Sequence, residues 1–203
     1  PPSRMGYKPG QVLTLDNALK IMLVKSANDI AVAVAETAAG KNYQKAMNEE
    51  ARRLGMTGSN WTNANGLHSA QNYTTARDLA LLSIALRRDF PEHAAFFGIE
   101  AIEYDDKLER NYNILLGRFD GADGMKTGFV CASGFNLVAS ATRGGRTLVA
   151  VVMGETSQQG RAEKAADLLA SGFEAGSPGG PDIAALAPAA NAPRSASCRR
   201  RSA

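Results

Sequence analysis

Residues 121–155 read GADGMKTGFVCASGFNLVASATRGGRTLVAVVMGE, and the fold is decided here. Apolar residues recur with a period of two on both sides of Gly144-Gly145, a pair that signals a tight hairpin. GADGMKTGF, together with the runs flanking that pair, predicts three antiparallel strands. Upstream, IEAIEYDDKLERNYNILL, residues 99–116, keeps the period of two and predicts a hairpin turning at Asp105-Asp106. Downstream, a helical pattern from about Gln158 to Gly172 predicts a helix packed back on the sheet.

The first ninety residues have a different period. LDNALKIMLVK puts Leu15, Leu19, Met22 and Leu23 on one helical face, with Thr14 or Asp16 able to cap its start. DIAVAVAETAAG predicts a second helix stopping at Gly40. Ser26-Ala27-Asn28 falls at their junction, where Ser and Asn are good turn and cap residues and poor mid-helix ones. A third helix is expected from about Tyr43 to Leu54, ending at Gly55, and a fourth from Thr75 as its N-cap. Between them SNWTNANGLHSAQNYTT reads as a loop. Pro91 opens another short helical stretch. Helices, then an antiparallel meander, then a helix predict an α+β architecture rather than a parallel βαβ one.

At 203 residues and 44% hydrophobic content the chain is long enough for one domain with a sizeable core. No apolar run approaches the ~18 residues that span a membrane. Residue 1 is Pro rather than Met and no secretory leader is present, as expected of a processed protein or a fragment. Arg194, Arg199, Arg200 and Arg201 against Asp182 account for the whole net charge of +3. The basic balance is thus a property of the tail, and a nucleic-acid-binding domain is not expected. Residues 1–174 read as the folded domain and 175–203, rich in Pro, Ala and Arg, as a disordered tail. That tail reads as a solvated basic end, with weak contact to a membrane or anionic cell-wall polymer as the alternative. Cys131 and Cys198 make no disulfide framework and have no metal-ligand spacing with His68 or His93, so neither a metal nor a cofactor is expected.

Ser26-x-Asn28 and Lys126-Thr127-Gly128 lie 100 positions apart. Together they are two of the three motifs of a serine acyl-transfer site of the penicillin-binding and β-lactamase type. The third, S-x-x-K, does not occur: none of the lysines has a serine three positions before it. KPGQVLTLDNALKIMLVKSANDIAVAVAE, NANGLHSAQNYTTARDLALL, DGMKTGF and SGFNLVASATRGGRTLVAVVMGE resemble the serine-type D-alanyl-D-alanine carboxypeptidases, the low-molecular-mass penicillin-binding proteins. The resemblance runs from about Ser3 to Phe173. It implies a penicillin-binding/β-lactamase-like transpeptidase fold, helical region plus antiparallel sheet, without the N-terminal strands and nucleophile helix, which the family carries upstream of this region.

The resemblance also implies roles. Ser26 would relay a proton to the departing D-alanine nitrogen, and Asn28 would hold the substrate amide. Lys126 would supply positive charge beside Ser26 and near the substrate carboxylate, with a pKa depressed by another cation. Thr127 would hydrogen-bond that carboxylate, and Gly128 would let the substrate lie against the strand as an added strand. The backbone N–H of Phe129 would form half of the oxyanion hole. The implied substrate is a peptidoglycan stem peptide ending in D-Ala-D-Ala, with β-lactams as inhibitors, in the periplasm or elsewhere outside the cytoplasm. Lacking S-x-x-K, the chain is expected to be inactive alone.

The remaining candidates are weaker. His68 could line the cleft rim, although a loop histidine is the plainer reading. Arg110 and Tyr112, read as sharing a strand face, could meet the substrate carboxylate, although a surface arginine is the default. Cys131 reads as a small buried residue, with a thiol near the cleft as the alternative. Trp61 and Tyr73 read as packing. Val130 stands where the family often carries a hydroxyl residue. A β-lactamase is the nearest enzyme alternative, but the 59–75 loop has no acidic residue for deacylation. A non-catalytic peptidoglycan- or β-lactam-binding module is the other.

Overall fold

The computed structural model describes residues 2–176 and 179–188. Four helices come first: α1 Leu15–Val24, α2 Asn28–Ala39, α3 Tyr43–Arg53 and α4 Ala76–Asp89. A 3-10 segment, Pro91–Gly98, leads into a hairpin of β1 Ala101–Tyr104 and β2 Lys107–Arg110. The main sheet is β3 Ala122–Val130, β4 Gly134–Arg143 and β5 Arg146–Glu155, antiparallel in that spatial order, and α5 Gln158–Glu174 follows.

The caps explain the helix starts. Thr14, Thr75 and Ser157 are extended and accept from the backbone N–H of Asn17, Asp78 and Gly160 respectively, each satisfying an orphan donor of the first turn. The hairpins turn where expected: Asp105 and Asp106 have φ of 54° and 58°, Gly144 and Gly145 φ of 54° and 78°, as a two-residue type I′ turn requires.

β4 is the central strand and sorts the molecule into two sides. Leu137, Ala139 and Ala141 pack against Ala162, Ala165 and Leu169 of α5. The intervening Asn136, Val138 and Ser140 face the opposite way, toward α4 and a cleft. Ala18 and Ile21 of α1 and Ile30 of α2 form a second apolar cluster, with Ala27 between the helices.

Three local expectations are corrected. Pairing of the first hairpin stops at Arg110, because the Asn111 side chain accepts from the Asn113 N–H and turns the chain out of the strand. Tyr112 is therefore in a bend and shares no strand face with Arg110. Cys131 is exposed rather than buried, since 131–133 form the turn between β3 and β4, closed by Ser133 N–H to the Val130 carbonyl. Tyr73, expected to pack, is 56% exposed. Of the 175–203 segment, the described part carries a 3-10 turn, Ile183–Ala185, whose Ala184 carbonyl accepts from Arg77 of α4. Residues 177–178 and 189–203, including Cys198 and the arginine cluster, lie outside the described residues.

Candidate active site

The junction of α1 and α2 is built on an unusual backbone. Ser26 has φ of 55°, the left-handed region that costs a non-glycine residue about 1 kcal/mol or more. α1 ends at Val24, Ser26 breaks the helical backbone, and α2 starts from the extended Ala27 with no side-chain cap. The serine hydroxyl meets Lys126, whose Nζ donates to Ser26 Oγ at 2.9 Å and to the Thr127 carbonyl at 2.9 Å. Two motifs distant in the sequence thus meet in one hydrogen bond.

Lys126 has no carboxylate partner among the described residues. Burial, and secondarily the charge of Arg161, push its ammonium down from 10.5 to about 8. Arg161 is 4% exposed and likewise has no carboxylate partner among the described residues. Its Nη1 donates to the carbonyls of Gly128 at 3.3 Å and Asn136 at 3.2 Å, and its Nη2 to Tyr112 at 3.1 Å. Burial lowers its pKa as well. Two poorly neutralised cations therefore flank the Lys-Thr-Gly strand.

Arg161 was not singled out from the sequence, where it sits in the polar run QQGRAEK. A signal was present: Arg161, Ala165 and Leu169 are spaced by four and lie on one helical stripe, and the other two face the core.

Asn28, the first residue of α2, is engaged from within the chain. Its Nδ2 donates to the Ser3 carbonyl at 2.8 Å, and its own N–H donates to the same oxygen at 2.9 Å. The neighbouring Asp29 carboxylate accepts the N–H of Gly6 at 2.8 Å and of Met5 at 3.1 Å, strapping the N-terminal segment across the start of α2.

Ser26, Asn28 and Lys126 border a cleft of about 470 Å3 between α1, α2, α4 and the β3–β4 face, and Arg161 lies outside its lining. Ser26, Asn28, Lys126, Thr127 and Gly128 line one side, and Leu79, Leu82 and Leu86 of α4 with Met22 and Leu23 of α1 make an apolar wall. Asn63–Gly66 and the half-buried Trp61 line it too. His68 and Arg110 are exposed and lie outside the lining. Phe129 is 47% exposed on β3, an edge strand of its sheet, and Val130 pairs with Gly134 at the end of that strand. An edge strand and a hydroxyl bonded to a lysine of low pKa can together hold an extended peptide with a carboxylate end and exchange a proton with it.

Residues 2–157 match the family described as D-alanyl-D-alanine carboxypeptidase. The chain is 36% identical over 174 residues to the D-alanyl-D-alanine carboxypeptidase DacC of Escherichia coli (strain K12), covering 84% of this chain and 44% of that protein. Penicillin binding protein 5 from Haemophilus influenzae superposes with a TM-score of 0.81 at 32% identity, over 85% of this chain and 51% of that one. Penicillin-Binding Protein D2 from Listeria monocytogenes in its ampicillin-bound form gives 0.78 at 28% identity, over 85% and 72%. The chain spans about half the length of the curated relatives it matches.

Proposed function

The chain belongs to the D-alanyl-D-alanine carboxypeptidase family, and from that premise we propose that its cleft is the leaving-group and carboxylate side of a serine acyl-transfer site for peptidoglycan stem peptides ending in D-Ala-D-Ala. The observation that carries the reading is the 2.9 Å bond between Lys126 Nζ and Ser26 Oγ, made by a lysine whose pKa is held to about 8. A general acid works best when its pKa lies near the working pH. Ser26 passes a proton to the departing D-alanine nitrogen and is resupplied from the Lys126 ammonium. Lys126, Thr127 and the nearby charge of Arg161 receive the terminal carboxylate. The peptide lies along the free edge of β3 at Gly128, and the Phe129 N–H donates to the oxyanion. One such donor is worth ~10²–10³ in rate. Because Asn28 Nδ2 is taken by the Ser3 carbonyl, its Oδ1 is the atom left to accept a substrate N–H.

The sequence has no S-x-x-K, so in this reading the acylated serine is not among these residues and the chain alone turns over no substrate. The apolar cleft wall is where a helix bearing that serine would pack. By the same reading the site works in the periplasm or elsewhere outside the cytoplasm, and β-lactams occupy it as substrate mimics. The test is intact mass after incubation with a fluorescent penicillin. No added mass is expected, and a covalent adduct on these residues would overturn the claim.

A second reading, a non-catalytic peptidoglycan- or β-lactam-binding module, is favoured by Lys126, a cleft-lining cation with no carboxylate partner among the described residues, which can dock a carboxylate without any nucleophile. It requires saturable retention of a D-Ala-D-Ala peptide by calorimetry, lost in Lys126→Met.

A further inference from the structure

β3 does not run in a single register against β4. Ala122 pairs with Ala141, but the next pair is Gly124 with Ser140, so Asp123 is an extra residue with no partner across the strands. That is a β-bulge, and its effect on facing is visible. Ala122 packs on the α5 side with the main core. Gly124, only two positions on, faces the other side, where an added Cβ would lie 2.9 Å from Phe97 Cβ and 2.9 Å from Ser140 Oγ. In an unbroken strand residues two apart share a face. Without the bulge Lys126 would share the face of Ala122 and point at α5. With it, Lys126 shares the face of Gly124 and points at Ser26.

We propose that Asp123 is a positioning residue whose side chain pins this bulge and thereby aims Lys126 into the cleft. Its Oδ1 accepts from Ser140 Oγ at 2.7 Å and from Arg87 Nη2, and its Oδ2 accepts from Thr142 Oγ1 at 2.6 Å. Arg87 Nη2 also donates to Ser140 Oγ at 2.7 Å, which ties α4 to both strands at the inserted residue. From the other flank Asn113 Nδ2 holds the Gly124 carbonyl at 2.9 Å. Bulges near functional sites commonly re-aim a side chain, and a carboxylate with three donors from two elements resists a slip of register. The relevance to acyl transfer rests on the reading above; the aim of Lys126 does not, and its test needs no substrate.

The test follows the Lys126 side chain by NMR in the lysine-labelled 203-residue chain, its resonance assigned with Lys126→Gln. In Asp123→Ala the pKa of Lys126 is expected to rise from about 8 toward the ordinary 10.5, as the ammonium escapes its buried place. The sign is decisive. If Asp123 acted only through its charge, removing an anion would lower the pKa of a nearby ammonium. Asp123→Asn, which keeps an acceptor and the volume, is expected to shift it less than Asp123→Ala. Leu169→Ala, which loosens the α5 core without touching the bulge, is expected to leave it unchanged. A folded Asp123→Ala chain in which Lys126 titrates at or below its parent value overturns the proposal. If Asp123→Ala does not fold, the Ser140→Ala, Thr142→Val chain retains the Arg87 ion pair and is read the same way: an unchanged pKa there overturns it too.

Discussion

At the scale of single residues the site is governed by a lysine held out of water. The unfolded chain keeps Lys126 near 10.5 while the folded chain holds it at about 8. Between those values the unfolded state binds a proton that the folded state does not, so this residue makes stability rise with pH across that window. At pH 7 both states are protonated and the fold carries the full cost of the buried ammonium, on the order of 3 kcal/mol at most. Lys126→Met should therefore gain on the parent at pH 7 and lose that advantage as the pH approaches 10. Urea unfolding of both chains at pH 7 and 9.5 measures the difference, and a pH-independent difference would contradict the assignment. The scan stops at 10 because Tyr7, raised by burial and by Tyr104, then contributes with the opposite sign. Ser26→Ala removes an acceptor from the ammonium and should push the Lys126 pKa below its parent value, read by the same NMR titration.

At the scale of elements the junction of α1 and α2 depends on the strap of residues 3–6. Asp29 accepts two strap N–H groups and Asn28 donates to the Ser3 carbonyl, so the segment is held by a carboxylate at a helix start, where an anion is favoured. Asp29→Ala should cost about 1–3 kcal/mol and remove the amide protection of Met5 and Gly6, while protection within α5 falls only by the global loss. Equal protection in parent and variant would sink this account. Much at this scale was legible: the α1–α2 break at Ser26-Ala27-Asn28, the Thr14 and Thr75 caps, and the turns at Asp105-Asp106 and Gly144-Gly145 all follow from local chemistry that turn and cap residues announce. The Asp123 bulge was not legible, because an inserted residue in DGMKTG leaves the composition of a strand unchanged and shows only in its pairing. The substrate-amide role of Asn28 is an expectation from the resemblance, and nothing local in the sequence announces that a carbonyl 25 positions away occupies its Nδ2. Arg110 and Tyr112 failed as a pair because one Asx turn at Asn111 ends the strand between them.

At the scale of the whole molecule, helices lie on one side of the sheet's central strand and α5 on the other; the α5 side is closed by a continuous core, and the helix side holds the cleft. The sequence motifs brought the two polar walls of the cleft together, since Ser26 and Lys126 carry recognisable neighbours. They could not reveal that Leu79, Leu82 and Leu86 of α4 are only half-buried and line the cleft, because an amphipathic helix reads the same whether its apolar stripe is fully or partly covered. Here that stripe, with Met22, Leu23 and Phe97, borders an open cleft of about 470 Å3. Apolar surface left half-buried along a cleft favours association, and β3 adds an unpaired strand edge beside it. The purified chain is therefore expected to brighten an anilinonaphthalene dye in its native state and to self-associate as its concentration rises, read by sedimentation velocity. Leu82→Lys, placing a charge at the centre of the wall, should dim the dye and shift the distribution toward monomer without moving the core between β4 and α5. A monomer that leaves the dye dark and unfolds in one cooperative, concentration-independent transition would show that the cleft closes on itself in solution.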